Sequence, residues 1–273
     1  MLKLRVITAL VLLPIVLAAL FLLERTAFAW VAGVFFLIAG WEWSALMGRL
    51  ATPTRLLWVA SLGLLCLLAE WLRPQWLYTL LPLWWLLALV MVVTYPATAA
   101  RWARLPVMML LGWLLLVPSW AAVVHIQSAG VLGLPGAWAL LFILVWVWAA
   151  DTGAYFAGRA FGRHKLAPSV SPGKTLEGLV GGVILALAVA ALVPIWAPVS
   201  AALPLLLIAA ALTVLASVLG DLFESMVKRQ RGVKDSGTIL PGHGGMLDRI
   251  DSVTAALPVA LAAISWLGLP GGF

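Results

Sequence analysis

Asp221 is followed by Glu224, Ser225 and Lys228, offsets of three, four and seven that put all four on one face of a helix. A charge at bilayer depth costs about 2.5–3.5 kcal/mol or more, so such groups pair, line a wet cavity or bind an ion. Beyond them come Arg229 and Lys234, and then Pro241-Gly242-His243-Gly244-Gly245-Met246-Leu247-Asp248-Arg249-Ile250-Asp251. Glycines on both sides of one histidine describe a tight loop whose backbone N–H groups can approach a phosphate. Asp248 and Asp251 share a helical face and repel unless a cation or a basic group lies between them. With Asp221 they form a hard-oxygen set suited to Mg²⁺, commonly held by one or two carboxylates plus substrate phosphates. The plainer reading of Asp221 is a helix-end carboxylate that captures Lys228 or Arg229.

Two upstream segments join this set. Ser171-Pro172-Gly173-Lys174-Thr175 ends like a phosphate-binding P-loop, but position 168 is proline where that motif requires glycine. Lys174 at the start of a span still offers a charge and a helix N-terminus to a phosphate. Capping by Thr175 and a loop lysine that sets topology is the alternative. Asp151 lies near Gly153 and Gly158, which permit close helix approach. It is open both to a place beside the metal and substrate and to a structural pair with Arg159 or Lys174. Six of the ten acidic residues lie beyond residue 175, and no dinucleotide fingerprint, HExxH motif or cysteine cluster occurs, so the chemistry points to the C-terminal half.

The elements that position these residues must be membrane spans. The 273 residues are 64% hydrophobic and 10% charged, with a mean hydropathy of +1.12. A soluble domain carries about 25% charged residues. Spans of roughly 20 apolar residues are expected at about 4–23, 27–47, 56–71, 76–95, 105–125, 137–158, 177–196, 201–224 and 251–268. The sequence thus predicts an all-α polytopic protein of about nine transmembrane helices. With the N-terminus cytoplasmic and the C-terminus external, all of the 17 basic residues except Arg25 and Arg73 fall on the cytoplasmic side. The net charge of +7 then reflects topology and contact with anionic lipid rather than a nucleic-acid partner. Residues 1–125 read as a generic hydrophobic bundle, and 135–273 as the catalytic region with cytoplasmic loops at 159–176 and 225–250.

The run from Ser225 to Asp251, with its charges, glycines and histidine in register, resembles the signature of the phosphatidate cytidylyltransferase family. Trp148 to Arg159, around Asp151, and Ser171 to Gly178 are similar to that family's segments in the same order; the likeness covers roughly 135–265. It implies transfer of CMP from CTP to phosphatidic acid, giving CDP-diacylglycerol and pyrophosphate in a bacterial inner membrane, with Mg²⁺, a monovalent cation such as K⁺ at the same site, and a homodimer. Under that reading Asp221 and Asp248 hold Mg²⁺ and Asp251 completes or orients the site. Lys228, Arg229, Lys234 and Arg249 neutralise phosphates, while Lys174, Ser171, Thr175, Gly244, Gly245 and Asp151 contact substrate. His243 is open to phosphate contact, loop bracing or proton transfer. Glu177 stands where relatives carry a neutral residue and receives no role. A CTP-dependent lipid kinase and a secondary transporter or flippase are the competing readings.

Overall fold

The computed structural model describes residues 13–239 and 244–273. The start of the first expected span and the tip of the glycine-histidine loop, including His243, lie outside them. In lipid the backbone must satisfy its own hydrogen bonds, and the apolar runs are accordingly helical. They form α1 (Leu13–Leu22), α2 (Arg25–Leu46), α3 (Thr52–Leu72), α4 (Gln75–Thr79), α5 (Trp84–Val93), α6 (Ala99–Trp102), α7 (Leu105–Ala129), α8 (Gly136–Phe161), α9 (Leu176–Leu192), α10 (Leu203–Gln230) and α11 (Leu247–Trp266). A short 3₁₀ turn at Leu81–Leu83 joins α4 to α5, where Pro82 removes a helical N–H.

Among the described residues, seven helical segments are long and apolar enough to cross a membrane: α2, α3, α4 to α5 as one unit, α7, α8, α9 with its 3₁₀ extension, and α10. The protein is therefore helical and polytopic. α11 has the length of a span, but Asp248, Arg249 and Asp251 in its first turns dilute its hydropathy. It is nonetheless the hub of the bundle. Its Ala255, Ala256, Ala260, Leu261, Ala262, Ala263 and Ile264 are completely buried, and it packs against α10, α7, α4, α2 and α8. Alanine on every side lets neighbouring backbones come close.

Pro258 inside α11 frees the carbonyl of Thr254, four residues before it. Ser119 Oγ of α7 lies 2.6 Å from that oxygen and 2.5 Å from Leu115 O of its own helix, so its one proton is shared between the two carbonyls and ties α11 to α7 beside the proline.

The structure differs from the sequence expectation at the two polar segments. The stretch expected as a plain loop at 159–176 begins inside α8 and then forms a β-hairpin, β1 (Lys165–Ala167) and β2 (Ser171–Thr175). The strands are antiparallel, with Lys165 opposite Thr175 and Ala167 opposite Ser171. The bundle remains all-α, with this one short hairpin attached to it. Polar backbone outside the hydrocarbon can pair with itself, and the buried Val170 pins the hairpin's turn to the bundle. Likewise α10 does not stop near residue 224 but runs to Gln230. Its 28 residues span about 42 Å at 1.5 Å per residue, longer than the roughly 30 Å hydrocarbon core.

Candidate active site

The site is assembled from four helix ends and the hairpin. Small residues bring α8 and α9 together: a Cβ on Gly153 would come within 2.6 Å of Gly181 O, and one on Gly182 within 2.6 Å of Ala150 O. The start of α9 is fixed by Thr175, whose Oγ1 accepts the Gly178 N–H at 3.1 Å as an N-cap. Glu177 accepts from the backbone N–H groups of Arg163 (3.1 Å) and His164 (3.2 Å) and pairs with His164 Nδ1 at 2.7 Å, holding the hairpin's entry to α9. This construction places Lys174, the last residue before the cap, where its Nζ meets Asp221 Oδ2 of α10 at 2.7 Å.

Asp221 lies nine residues before the end of α10, about 14 Å below it by helical rise. Beside it Gly220 admits the α11 backbone, since a Cβ there would stand 2.5 Å from Asp251 O. Asp251 of α11 and Asp151 of α8 both come within electrostatic range of Asp221. Two turns further along α10, the buried Lys228 donates to Glu224 Oε1 at 2.9 Å and to Asp248 Oδ1 at 2.6 Å. The second oxygen of Asp248 accepts from Ser236 N (2.9 Å), Ser236 Oγ (2.9 Å) and Gly245 N (2.8 Å). Gly244, at φ +82°, makes that turn possible; a Cβ there would lie 2.6 Å from Asp248 Oδ2.

Neither plain sequence-level pairing holds for Asp221: its partner is Lys174, and Lys228 bridges Glu224 and Asp248 instead. Arg229 donates to Val170 O and Val233 O, both at 3.3 Å, tying the hairpin's turn to the loop after α10. Lys234 and Arg249 are exposed at the same end, and Ser171 is half-buried at the start of β2. A cavity of about 410 Å³ opens beside these residues, lined by Asp151, Tyr155, Arg159, Lys174, Thr175 and Val218 among others.

The charges do not balance. Asp221, Glu224, Asp248 and Asp251 face two ammonium groups, Lys174 and Lys228, and buried Glu224 Oε2 has no hydrogen-bond partner among the described residues. An orphaned carboxylate oxygen in a dry site is costly, and either a bound cation or a retained proton would relieve it. Among the described residues no three His, Cys, Asp or Glu side chains form a ligating group; the aspartates are closed on lysines and backbone donors.

The residue with no sequence signal is Glu42 of α2. It is 4% exposed and accepts from Met246 N (3.0 Å), Leu247 N (2.8 Å) and Ser236 Oγ (3.2 Å). In the sequence it is a lone acid within a hydrophobic run, and only its depth in a predicted span could have marked it.

The chain has known relatives. A family model described as "Cytidylyltransferase family" matches residues 3–267. The chain is 46% identical over 279 residues to a Pseudomonas aeruginosa protein named phosphatidate cytidylyltransferase, covering 97% of each. It is 42% identical over 286 residues to a Haemophilus influenzae protein of the same name, covering 94% of this chain and 96% of that one. A Bacillus subtilis protein so named is 47% identical over 120 residues, 44% of each chain. With the match running through both the hydrophobic N-terminal half and the charged helix ends, the chain belongs to the cytidylyltransferase family.

Proposed function

We propose that the protein is a phosphatidate cytidylyltransferase that joins CTP to phosphatidic acid, yielding CDP-diacylglycerol and pyrophosphate. The observation that carries this is end-to-end likeness to relatives of that name. The site supports it chemically, since cations and carboxylates gather at helix ends beside a cavity reaching into the membrane-spanning region.

The reaction needs a phosphate monoester oxygen of the lipid to attack the α-phosphorus of CTP in line, with pyrophosphate leaving. Both reactants are anionic, so the work is positioning and charge neutralisation. Lys174 and Lys228 stand closest to the carboxylates and can turn to phosphate oxygens. Arg229 gives two of its N–H groups to carbonyls and, among the described residues, has others to offer phosphate, and Lys234 and Arg249 add exposed positive charge. The Gly244 backbone is the further donor assigned to phosphate, while Gly245 shapes the turn with its own N–H held by Asp248 Oδ2. Thr175 and Asp151 line the pocket, Ser171 opens the strand that carries Lys174, and His243 contacts phosphate or braces the loop; phosphatidate is already largely ionised near neutral pH, so no base is demanded.

Asp221 and Asp248, with Asp251, would hold Mg²⁺, with a monovalent cation such as K⁺ nearby. When bound, Mg²⁺ offsets phosphate charge and polarises the reacting phosphorus. The buried excess of carboxylate fits it. The remaining assignments follow the same reading: about nine spans, N-terminus in the cytoplasm, C-terminus outside, a bacterial inner membrane, the site on the cytoplasmic face, and a homodimer.

The test uses purified protein, phosphatidic acid and CTP labelled in the cytosine or at the γ-phosphate. Cytosine label should enter the lipid, γ-label should leave as pyrophosphate, and chelation should stop turnover until Mg²⁺ is restored. γ-Label in the lipid would make it a kinase, and no lipid label at all would remove the assignment.

A further inference from the structure

The connection from α10 to α11 carries Lys234, Ser236, Gly244 and Gly245, yet it has no regular structure of its own in its described parts. Its form comes from the last turn of α2, in the half of the chain without a charge-bearing motif. Arg231, just past α10, donates from Nε to Leu46 O and from its terminal nitrogen to Met47 O, at the carbonyl end of α2. One turn back on the same helix, Glu42 accepts the Met246 and Leu247 N–H groups at the start of α11. Each contact sets a charge against the complementary end of a helix, and each satisfies backbone groups a helix terminus leaves open.

Glu42 is also enclosed. A Cβ on Gly237 or on Gly245 would collide with its carboxylate, so two glycines of the connection are moulded around this one side chain. Ser236 completes the relay: its Oγ lies 3.2 Å from Glu42 Oε2 and 2.9 Å from Asp248 Oδ2, and its N–H also meets Asp248. The Asp248 carboxylate that Lys228 grips is thus held in place from behind by groups that Glu42 sets.

We infer that Glu42 is a positioning residue for the cytidylyl transfer: it fixes Ser236, Gly245 and the first turn of α11, and through them the Lys228–Asp248 pair, without touching substrate. The inference rests on the proposed activity, so turnover of the wild-type enzyme with CTP and phosphatidic acid is established first. Glu42→Gln keeps the shape but presents an amide N–H₂ to backbone donors. Measured in detergent, it should lower kcat about thirtyfold and raise KM for CTP about tenfold; simple loss of folded enzyme would leave KM unmoved. Ser236→Ala alone should cost about tenfold in kcat/KM but less than about twofold in the Glu42→Gln background, because both act on Asp248. Hydrogen exchange should rise in residues 231–239 of Glu42→Gln while α7 and α8 stay protected, a readout independent of turnover. Glu70→Gln, which breaks that carboxylate's pairs with Arg25 and Arg73 at 2.6 and 2.7 Å, serves as the control and should leave KM for CTP unchanged. Wild-type KM with unchanged exchange in Glu42→Gln, or full additivity with Ser236→Ala, would overturn the inference. If wild-type turnover is absent while the exchange result appears, the activity assignment has failed and the loop contact has not.

Discussion

Lys228 is the residue on which most of the site's electrostatics converge. Its ammonium bridges Glu224 and Asp248, side chains only 1% and 6% exposed. Removing one partner of a buried ion pair leaves uncompensated charge and typically costs about 3–5 kcal/mol. Lys228→Met should therefore lower the unfolding midpoint in detergent and abolish turnover together. Asp221 and Lys174 form a pair with 28% exposure on each side, and water there screens the loss. Lys174→Ala should leave the melting temperature within a few degrees while depressing turnover at least about tenfold, if its ammonium serves phosphate rather than fold. A melting temperature that falls as far as in Lys228→Met would assign Lys174 to structure.

At the scale of elements, the α8–α9 contact decides where Asp151 and Lys174 stand. Gly182 meets Ala150 O and Gly153 meets Gly181 O, so any side chain at either position forces the helices apart. Gly182→Val should destabilise by about 1–3 kcal/mol, as overpacking commonly does, and reduce activity by displacing the hairpin. Gly173 in β2 meets nothing within 4 Å. Gly173→Ala should therefore leave the melting temperature unchanged, which makes it the control for the first substitution. Thermal unfolding of the two variants separates packing from flexibility as the reason for glycine. Thr175→Ala removes the side-chain N-cap of α9 and should cost about 1 kcal/mol.

At the scale of the molecule, the proposed orientation makes a prediction about sidedness. With Cys66, the single cysteine, replaced by serine, Arg73→Cys should react with an impermeant maleimide in intact cells. Lys234→Cys should react only in inverted vesicles. The reverse pattern, or labelling of both from one side, would reject the topology. The hub position of α11 adds a second consequence. Because its first two turns carry Asp248 and Asp251 and most of its body is buried, a substitution that loosens the packing of α11 also displaces the site.

Much of the site was legible in the chain. Helical offsets put Asp221, Glu224 and Lys228 on one face, glycines marked the loop, and the low charge content required spans. Local spacing and solvent preference determine such features, so they survive without coordinates. The tertiary structure decided which charges meet: Lys174 with Asp221 across two elements, and Lys228 with Asp248 across 20 residues of chain. It also turned 165–175 into a hairpin, prolonged α10, and brought Glu42 from 194 residues away to hold Ser236. Pairings of that kind depend on which helix faces pack together, and a hydrophobic run that is apolar on every side does not disclose which face will turn inward.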